Sequence, residues 1–307
     1  MIKRTIEISR EPAHLAVRLD QLHIQRNVRD EWNYTSIPCE DIGVLLVDHP
    51  QVTYSHYALA RLMEFGAAVV VCGRNHLPVG MLMPLSSHTE VVWRLQDQLS
   101  VSKPLKKQLW RQLVVAKIRA QAANLEDKTP ARSKLLALAR EVRSGDASNV
   151  EAQAAKVYWS AWLGDSGPEG GFRRDPDGDG INALLNYGYA VLRAAVARAL
   201  VSAGLLPALG IHHSNRSNAF CLADDLVEPL RPMADAQVRE LYRQGHTELG
   251  QPTKAKLLAL LTQEVLAGEQ RGPLMVALHR MAASLVACYR GEARQLLIPT
   301  ATGEAIL

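Results

Sequence analysis

SHYALARLMEFGAAVVVC, residues 55–72, decides how the amino-terminal part of this chain is built. Leu59, Leu62 and Met63 recur at the three- and four-residue spacing that lines up side chains on one helix face, so the segment predicts a short amphipathic helix from Ser55 to Phe65. Gly66 ends it. The run that follows, AAVVVC at 67–72, is apolar throughout and rich in β-branched valine. A run of that length after a glycine stop reads as a strand covered on both faces.

Working outward, TIEI (5–8), LAVRL (15–19) and GVLLV (43–47) are further short β-rich runs separated by polar, turn-prone residues. From about Val91 the pattern becomes helical. Leu105, Leu109, Leu113 and Ile118 fall near helical spacing, which leaves Lys106, Lys107, Arg111, Lys117 and Arg119 for the remaining faces. Further helices are expected over 133–143, from Ser148, over 181–202, after Asn218, and from Gln237 to about Arg294. A Gly/Pro/Asp-rich loop spans 164–180, and Pro229 marks a bend or stop, because the residue before proline leaves the helical region. The expected class is α+β: a small β-rich amino-terminal domain at 1–88, then a larger all-α catalytic domain at 89–307.

Composition excludes some classes. The 307 residues are 48% hydrophobic and 21% charged, as in a soluble globular protein. The longest apolar run, 189–211, is interrupted by Arg193 and Arg198 and so is not a membrane span. No apolar signal core opens the chain, and four scattered cysteines form no CxxC pair, so a cytoplasmic protein with reduced thiols is expected. A net charge of +4 is compatible with a nucleic-acid partner without requiring one.

The chemistry concentrates in LGIHHSNRSNAFCLADDLVEPLRP, residues 209–232. Asp225 and Glu228 lie three apart and Asp224 and Glu228 four apart, so carboxylates are expected to crowd one helical face, where a cation would relieve their repulsion. Carboxylate oxygen plus one imidazole suits Mg²⁺ or Mn²⁺. Two adjacent histidines cannot easily ligate one ion, so at most one of His212 and His213 is a ligand. Upstream, Ser148-Asn-Val-Glu151 matches a capping box, a structural role that competes with a site role for Glu151. DPDGDG at 175–180 imitates the start of a calcium loop, but position twelve is Asn186 where a bidentate Glu belongs; a polar surface turn is expected. No Walker loop, GxGxxG or nucleophile motif competes.

Four segments together resemble the CRISPR-associated spacer-acquisition integrases, the family called Cas one, in its type II branch: LLVDHPQVTYSHYALARLMEFGAAVVVCGRNHLPVGMLMP (45–84), SNVEAQAAKVYW (148–159), FRRDPDGDGINALLNYGYAVL (172–192) and 209–232. The resemblance implies a Mg²⁺- or Mn²⁺-dependent DNA endonuclease and integrase of antiviral defence, with Glu151, His213 and Glu228 as ligands and Asp225 as a supporting carboxylate. It implies transesterification of prespacer DNA into the leader–repeat junction of a CRISPR array. It further implies a homodimer formed through the β domain, assembled with the small partner Cas two and possibly with other type II Cas proteins. Lys106, Lys107, Arg111, Arg140, Arg143, Arg173 and Arg174 would contact the DNA backbone. Two other readings stay open: a non-catalytic DNA-binding scaffold, and a general metal-dependent nuclease acting on RNA or branched DNA.

Overall fold

The computed structural model describes residues 3–28, 31–74, 76, 78–84, 88–164, 167 and 171–302. The amino-terminal part runs β1 (Arg4–Ile8), β2 (His14–Arg18), β3 (Gln21–Val28), β4 (Glu31–Pro38), β5 (Ile42–Val47), β6 (Thr53–Tyr54), α1 (His56–Glu64), β7 (Ala68–Cys72) and β8 (Pro78–Leu82). Two sheets result. One has the order β1-β5-β7-β8, with β1, β5 and β7 parallel and β8 antiparallel at the edge. The other has the order β4-β3-β2-β6. Ser55 starts α1 by accepting a hydrogen bond from the Ala58 amide at 3.1 Å, a cap that contributes about 1 kcal/mol.

Successive side chains of a strand point to opposite faces, and here the two faces belong to two different cores. Leu45, Val47 and Val69 pack with Leu15, Leu22 and Leu62 in the small core of the amino-terminal layer. Val44, Leu46 and Val70 pack into the large core made by the helices. The β1-β5-β7-β8 sheet is thus a shared wall. All six residues of β5 are buried, and so are Ala68, Val69 and Val70 of β7.

The remainder runs α2 (Val91–Ser100), α3 (Lys103–Ala123), α4 (Pro130–Glu141), α5 (Val150–Ala161), α6 (Ile181–Ser202), α7 (Cys221–Val227), α8 (Arg231–Arg243), α9 (Gln251–Leu258), β9 (Glu264–Ala267), β10 (Gln270–Pro273), α10 (Leu274–Tyr289) and β11 (Thr300–Ala301). Helix α6 is the axis, buried around most of its circumference and packed by α7, α8, α9, α10 and β7. Its buried Arg198 donates from Nε to the Gly66 carbonyl at 2.9 Å, tying the axis to the end of α1. Among the described residues no helix is long and apolar enough to cross a membrane.

The carboxy-terminal part is not all-α, as had been expected. Strands β9, β10 and β11 form a small antiparallel sheet of order β10-β9-β11, the first two within the stretch read as continuous helix and β11 beyond it. Gly268, at φ +63°, turns β9 into β10. Four-residue strands are too short to display their period, so Val265 and Ala267 look helical until their burial is known.

Candidate metal-binding active site

Helix α5 delivers Glu151 as its second residue, but not through the expected capping box. Asn149 has φ +51°, and no side chain caps the helix from that position. Asp146 does the work from further back: Oδ1 accepts from the Val150 amide at 2.9 Å and Oδ2 from the Glu151 amide at 3.0 Å. Because Asp146 satisfies these first-turn donors, the Glu151 carboxylate is free to turn elsewhere. It turns to Lys117 on α3, whose Nζ donates to Glu151 Oε1 at 2.5 Å and also to Glu228 Oε2. Lys117 is therefore not on an exposed face as its basic neighbours suggest; its side chain is 12% exposed. It follows Leu113 by four residues and precedes buried Gln121 by four, in register with the inward stripe.

Glu228 opens the turn of 3-10 helix, Glu228–Leu230, that joins α7 to α8 across Pro229. Its Oε1 is held by Arg231 at 3.0 Å. The three acidic residues of the segment do not crowd one face around one cation. Asp224 pairs with Arg193 Nε at 2.7 Å and accepts from Asn218 Nδ2 at 2.6 Å. Asp225 is fully buried and faces the opposite way, into the loop that precedes α7.

That loop is wound around the Asp225 carboxylate. The amides of Ile211, His212 and His213 donate to it at 2.6, 3.0 and 3.1 Å, and His213 Nδ1 lies 2.6 Å from Oδ1. With these donors Asp225 has no capacity left for a ligand in the cleft; it is a positioning residue. Fixing Nδ1 leaves His213 Nε2 without a hydrogen-bond partner among the described residues, so its lone pair is available. Gly210 makes the wrap possible: a Cβ there would collide with the His213 carbonyl oxygen and stand 2.9 Å from Asp225 Oδ2. The structure also separates the two histidines, since His212 stacks on Trp110 with ring centroids 4.2 Å apart.

Electrostatics couples these groups. The hydrogen bond to Asp225 raises the His213 imidazole above its usual range against the opposing effect of burial, with Asp225, Glu228 and Asp224 adding charge. Burial by itself would raise the Glu228 carboxyl, but Lys117 and Arg231 outweigh it and hold the group low. Burial would lower the Lys117 ammonium, yet Glu228 and Glu151 raise it. As the side chains stand, no three His, Cys, Asp or Glu among the described residues are close enough to hold a metal ion. An ammonium already stands between the two carboxylates. Two carboxylates sharing one cation beside an imidazole lone pair are nevertheless a donor set that fits a hard divalent ion.

The expected DNA-contacting residues divide into two groups. Lys107, Arg111, Arg140 and Arg143 are exposed on α3, α4 and the turn that follows α4, although Arg111 Nε also donates to the Val142 carbonyl at 2.8 Å. Lys106 is partly committed, donating to the Gly210 carbonyl at 3.3 Å. On another face, Arg173 is exposed while Arg174 bonds Asn182 and Asn186 and lies 5.6 Å over the Tyr189 ring. Arg174 lines a cavity of about 540 Å³ together with Arg193, Arg231, Tyr189 and Phe220. Those two further arginines were not singled out in the sequence, since each lies in a mostly apolar stretch. The 175–180 segment closes on itself as a turn, with the Asp177 amide donating to Asp175 Oδ1 at 3.0 Å and Asn186 Nδ2 to the Pro176 carbonyl at 2.8 Å.

A family model described as "CRISPR associated protein Cas1" matches residues 6–266, most of the chain. The protein belongs to the Cas1 family. A CRISPR-associated endonuclease Cas1 from Neisseria meningitidis serogroup C (strain 8013) is 40% identical over 290 residues, covering 93% of this chain and 92% of the relative. A Cas1 from Pyrobaculum aerophilum is 30% identical over 263 residues, covering 81% and 88%. Among solved structures, a casposase bound to integration product superposes with a TM-score of 0.80 at 19% identity, covering 98% of this chain and 94% of the other. The Cas1 part of a Cas6-RT-Cas1–Cas2 complex gives 0.76 at 17% identity, covering 98% and 36%. A TtCas1–DNA complex gives 0.55 at 20% identity, covering 94% and 92%. At these identities the structural likenesses establish the Cas1 fold.

Proposed function

We propose that this Cas1 is a divalent-metal-dependent DNA endonuclease and integrase that inserts prespacer DNA into a CRISPR array. The observation that carries the reading is the shared cation seat between Glu151 and Glu228, carboxylates far apart in sequence brought together, with the imidazole oriented by Asp225 near enough to feel the Glu228 charge. Relatives named as CRISPR-associated endonucleases support it. Glu151, His213 through Nε2, and Glu228 would hold Mg²⁺ or Mn²⁺. Such an ion supplies stabilisation of the charge that develops on phosphodiester oxygens. The residues' own part is to position: Asp225 fixes the imidazole, Arg231 fixes Glu228, and Asp146 fixes the start of α5.

The exposed lysines and arginines of α3 and α4 would contact DNA phosphates, making binding salt-dependent and largely indifferent to sequence. Solved neighbours described as a Cas1–Cas2 complex and a Cas1–DNA complex support Cas2 and DNA as partners. Placement in the type II branch, with a homodimer formed through the amino-terminal domain, rests on the motifs at 45–84, 172–192 and 209–232. Measuring the mass of the purified protein and its co-purification with type II Cas proteins tests that placement.

Replacing Glu228 with Gln should lower half-site integration into a supercoiled repeat-bearing plasmid by on the order of 10³-fold, because several kcal/mol of charge stabilisation depend on the ion. Wild-type turnover in that variant sinks the assignment. A second reading, a non-catalytic DNA-binding scaffold, is favoured by one observation: Lys117 already pairs with both carboxylates. His213→Ala separates the two, since lost strand transfer with retained DNA binding supports the enzyme. Simple cleavage products without integration would instead indicate a general nuclease.

A further inference from the structure

We propose that Lys117 is an internal counter-ion that fills the divalent-cation seat in the metal-free protein and is displaced when the ion binds. Metal loading would then be an exchange of cations and not the filling of an open site. The inference rests on the reading of Glu151 and Glu228 as ligands.

Three features distinguish Lys117 from an ordinary buried salt bridge. One ammonium serves two carboxylates, from α5 and from the turn after α7, so it occupies the point where a shared cation would sit. The Glu228 carboxylate and the backbone that carries Glu151 are also held independently of the lysine. Arg231 binds Glu228 Oε1 at 3.0 Å, and Asp146 binds the Val150 and Glu151 amides, so Glu228 and the start of α5 keep their places when the lysine leaves. The seat is open on one side as well: Glu151 is 23% exposed against 8% for Glu228, and the His213 side chain is 42% exposed. A lysine suits this role better than arginine, because its ammonium is a compact point charge on a flexible four-carbon stem without a planar fork to lock onto two carboxylates.

The same geometry explains why the three ligands do not stand as a ready-made metal cage. Two carboxylates with no cation between them would repel each other in a partly buried space. The chain supplies its own cation until an exogenous one arrives, and the arriving ion must break both Lys117 hydrogen bonds.

The test is Mn²⁺ binding to the full chain without DNA, measured by calorimetry and by electron paramagnetic resonance, with Glu228→Gln as the site control. Lys117→Met, with its fold checked by circular dichroism, should bind Mn²⁺ at least about tenfold more tightly than wild type, the equilibrium equivalent of one charge-assisted hydrogen bond. Its thermal midpoint should rise further on Mn²⁺ addition than that of wild type. Lys117→Arg, which keeps the charge and adds the fork, should bind Mn²⁺ no more tightly than wild type, and it carries the test if the Met variant does not fold. Mn²⁺ binding that depends on Glu228 but is unchanged or weaker in Lys117→Met overturns the exchange and leaves the ligand reading standing. Tighter binding in Lys117→Arg does the same. Mn²⁺ binding unaffected by Glu228→Gln overturns the ligand reading, and the exchange with it.

Discussion

Lys254 and Lys117 are both lysines drawn inside by carboxylates, and the protein holds them in opposite ways. Lys254 on α9 bonds Asp48, which directly follows β5; the two side chains are 6% and 1% exposed. One charge meets one charge, the far side of Asp48 is closed by His76 Nδ1 at 3.0 Å, and the ammonium lies 5.9 Å from the Tyr187 ring centroid. Nothing there is left to recruit a ligand. That pair fastens the amino-terminal sheet to the helical body. Around Lys117 one ammonium is shared by two carboxylates, with a second cation at Arg231 on Glu228 alone and an open side at His213. One-to-one pairing and closure make a fastening, whereas a shared cation and an opening leave room for exchange.

The buried environment of the fastening is visible in its neighbours. Burial pushes the Cys72 thiol up to about 12, with Asp48 contributing, and it raises the Glu7 carboxyl. The comparison can be broken most directly by Lys254→Met, which strands the Asp48 charge. It should cost ~3–5 kcal/mol of stability by urea denaturation, as for other buried pairs that lose one partner. Lys117→Met should cost clearly less, because Glu151 retains contact with water. Equal losses would mean that the two clusters are alike.

Next in size is Gly210→Ala. The added methyl displaces the loop from Asp225 and with it His213, so strand transfer should fall by about 10²-fold while far-ultraviolet circular dichroism stays native. Activity within a few-fold of wild type would show that the loop position does not matter.

Asp225→Asn should weaken Mn²⁺ binding about 10–100-fold through loss of the imidazole's orientation. It should also change the pH dependence of stability measured in chelator. The folded-state pKa of His213 is raised, so the His213–Asp225 pair contributes stability fully below the unfolded imidazole value, near 6.5, and loses that contribution as pH rises through the higher folded value. The Asn variant should lose that decline, and a persistent decline would assign it to another group. The smallest expected effect is His76→Ala, at about 0.5–1 kcal/mol, because the imidazole closes Asp48 from a half-exposed position.

Much of the fold was legible in the chain. The reading of 55–72 places α1 and β7 within a residue or two, and the 181–202 expectation coincides with α6. Such elements are long or strongly patterned, so their period is expressed within themselves. The β9–β10 hairpin and β8 were not found, because a strand of four or five residues carries too little pattern; the eight-residue strands β3 and β4 were also not named. At the site, the acidic segment, the histidine pair and, by resemblance, Glu151 were named in advance. Asp146, Trp110 and Arg231 were not given a role, and Lys117 was placed among the basic residues on the outer faces of its helix, since nothing in a lysine or an aspartate marks it as turned inward.

By itself the sequence determined that a β-rich part precedes a mainly helical one and, through its motifs, the Cas1 family, because local spacing and residue type are properties of the chain alone. Tertiary structure decided which side chains share a charge. Residues 117, 151 and 228 meet only after three separate elements have packed, and the interaction of charges depends on distance and on exclusion of water, neither of which has a local signature. For the same reason only the folded molecule could say that Asp225 faces inward to hold His213 while Asp224, one residue away, turns to Arg193.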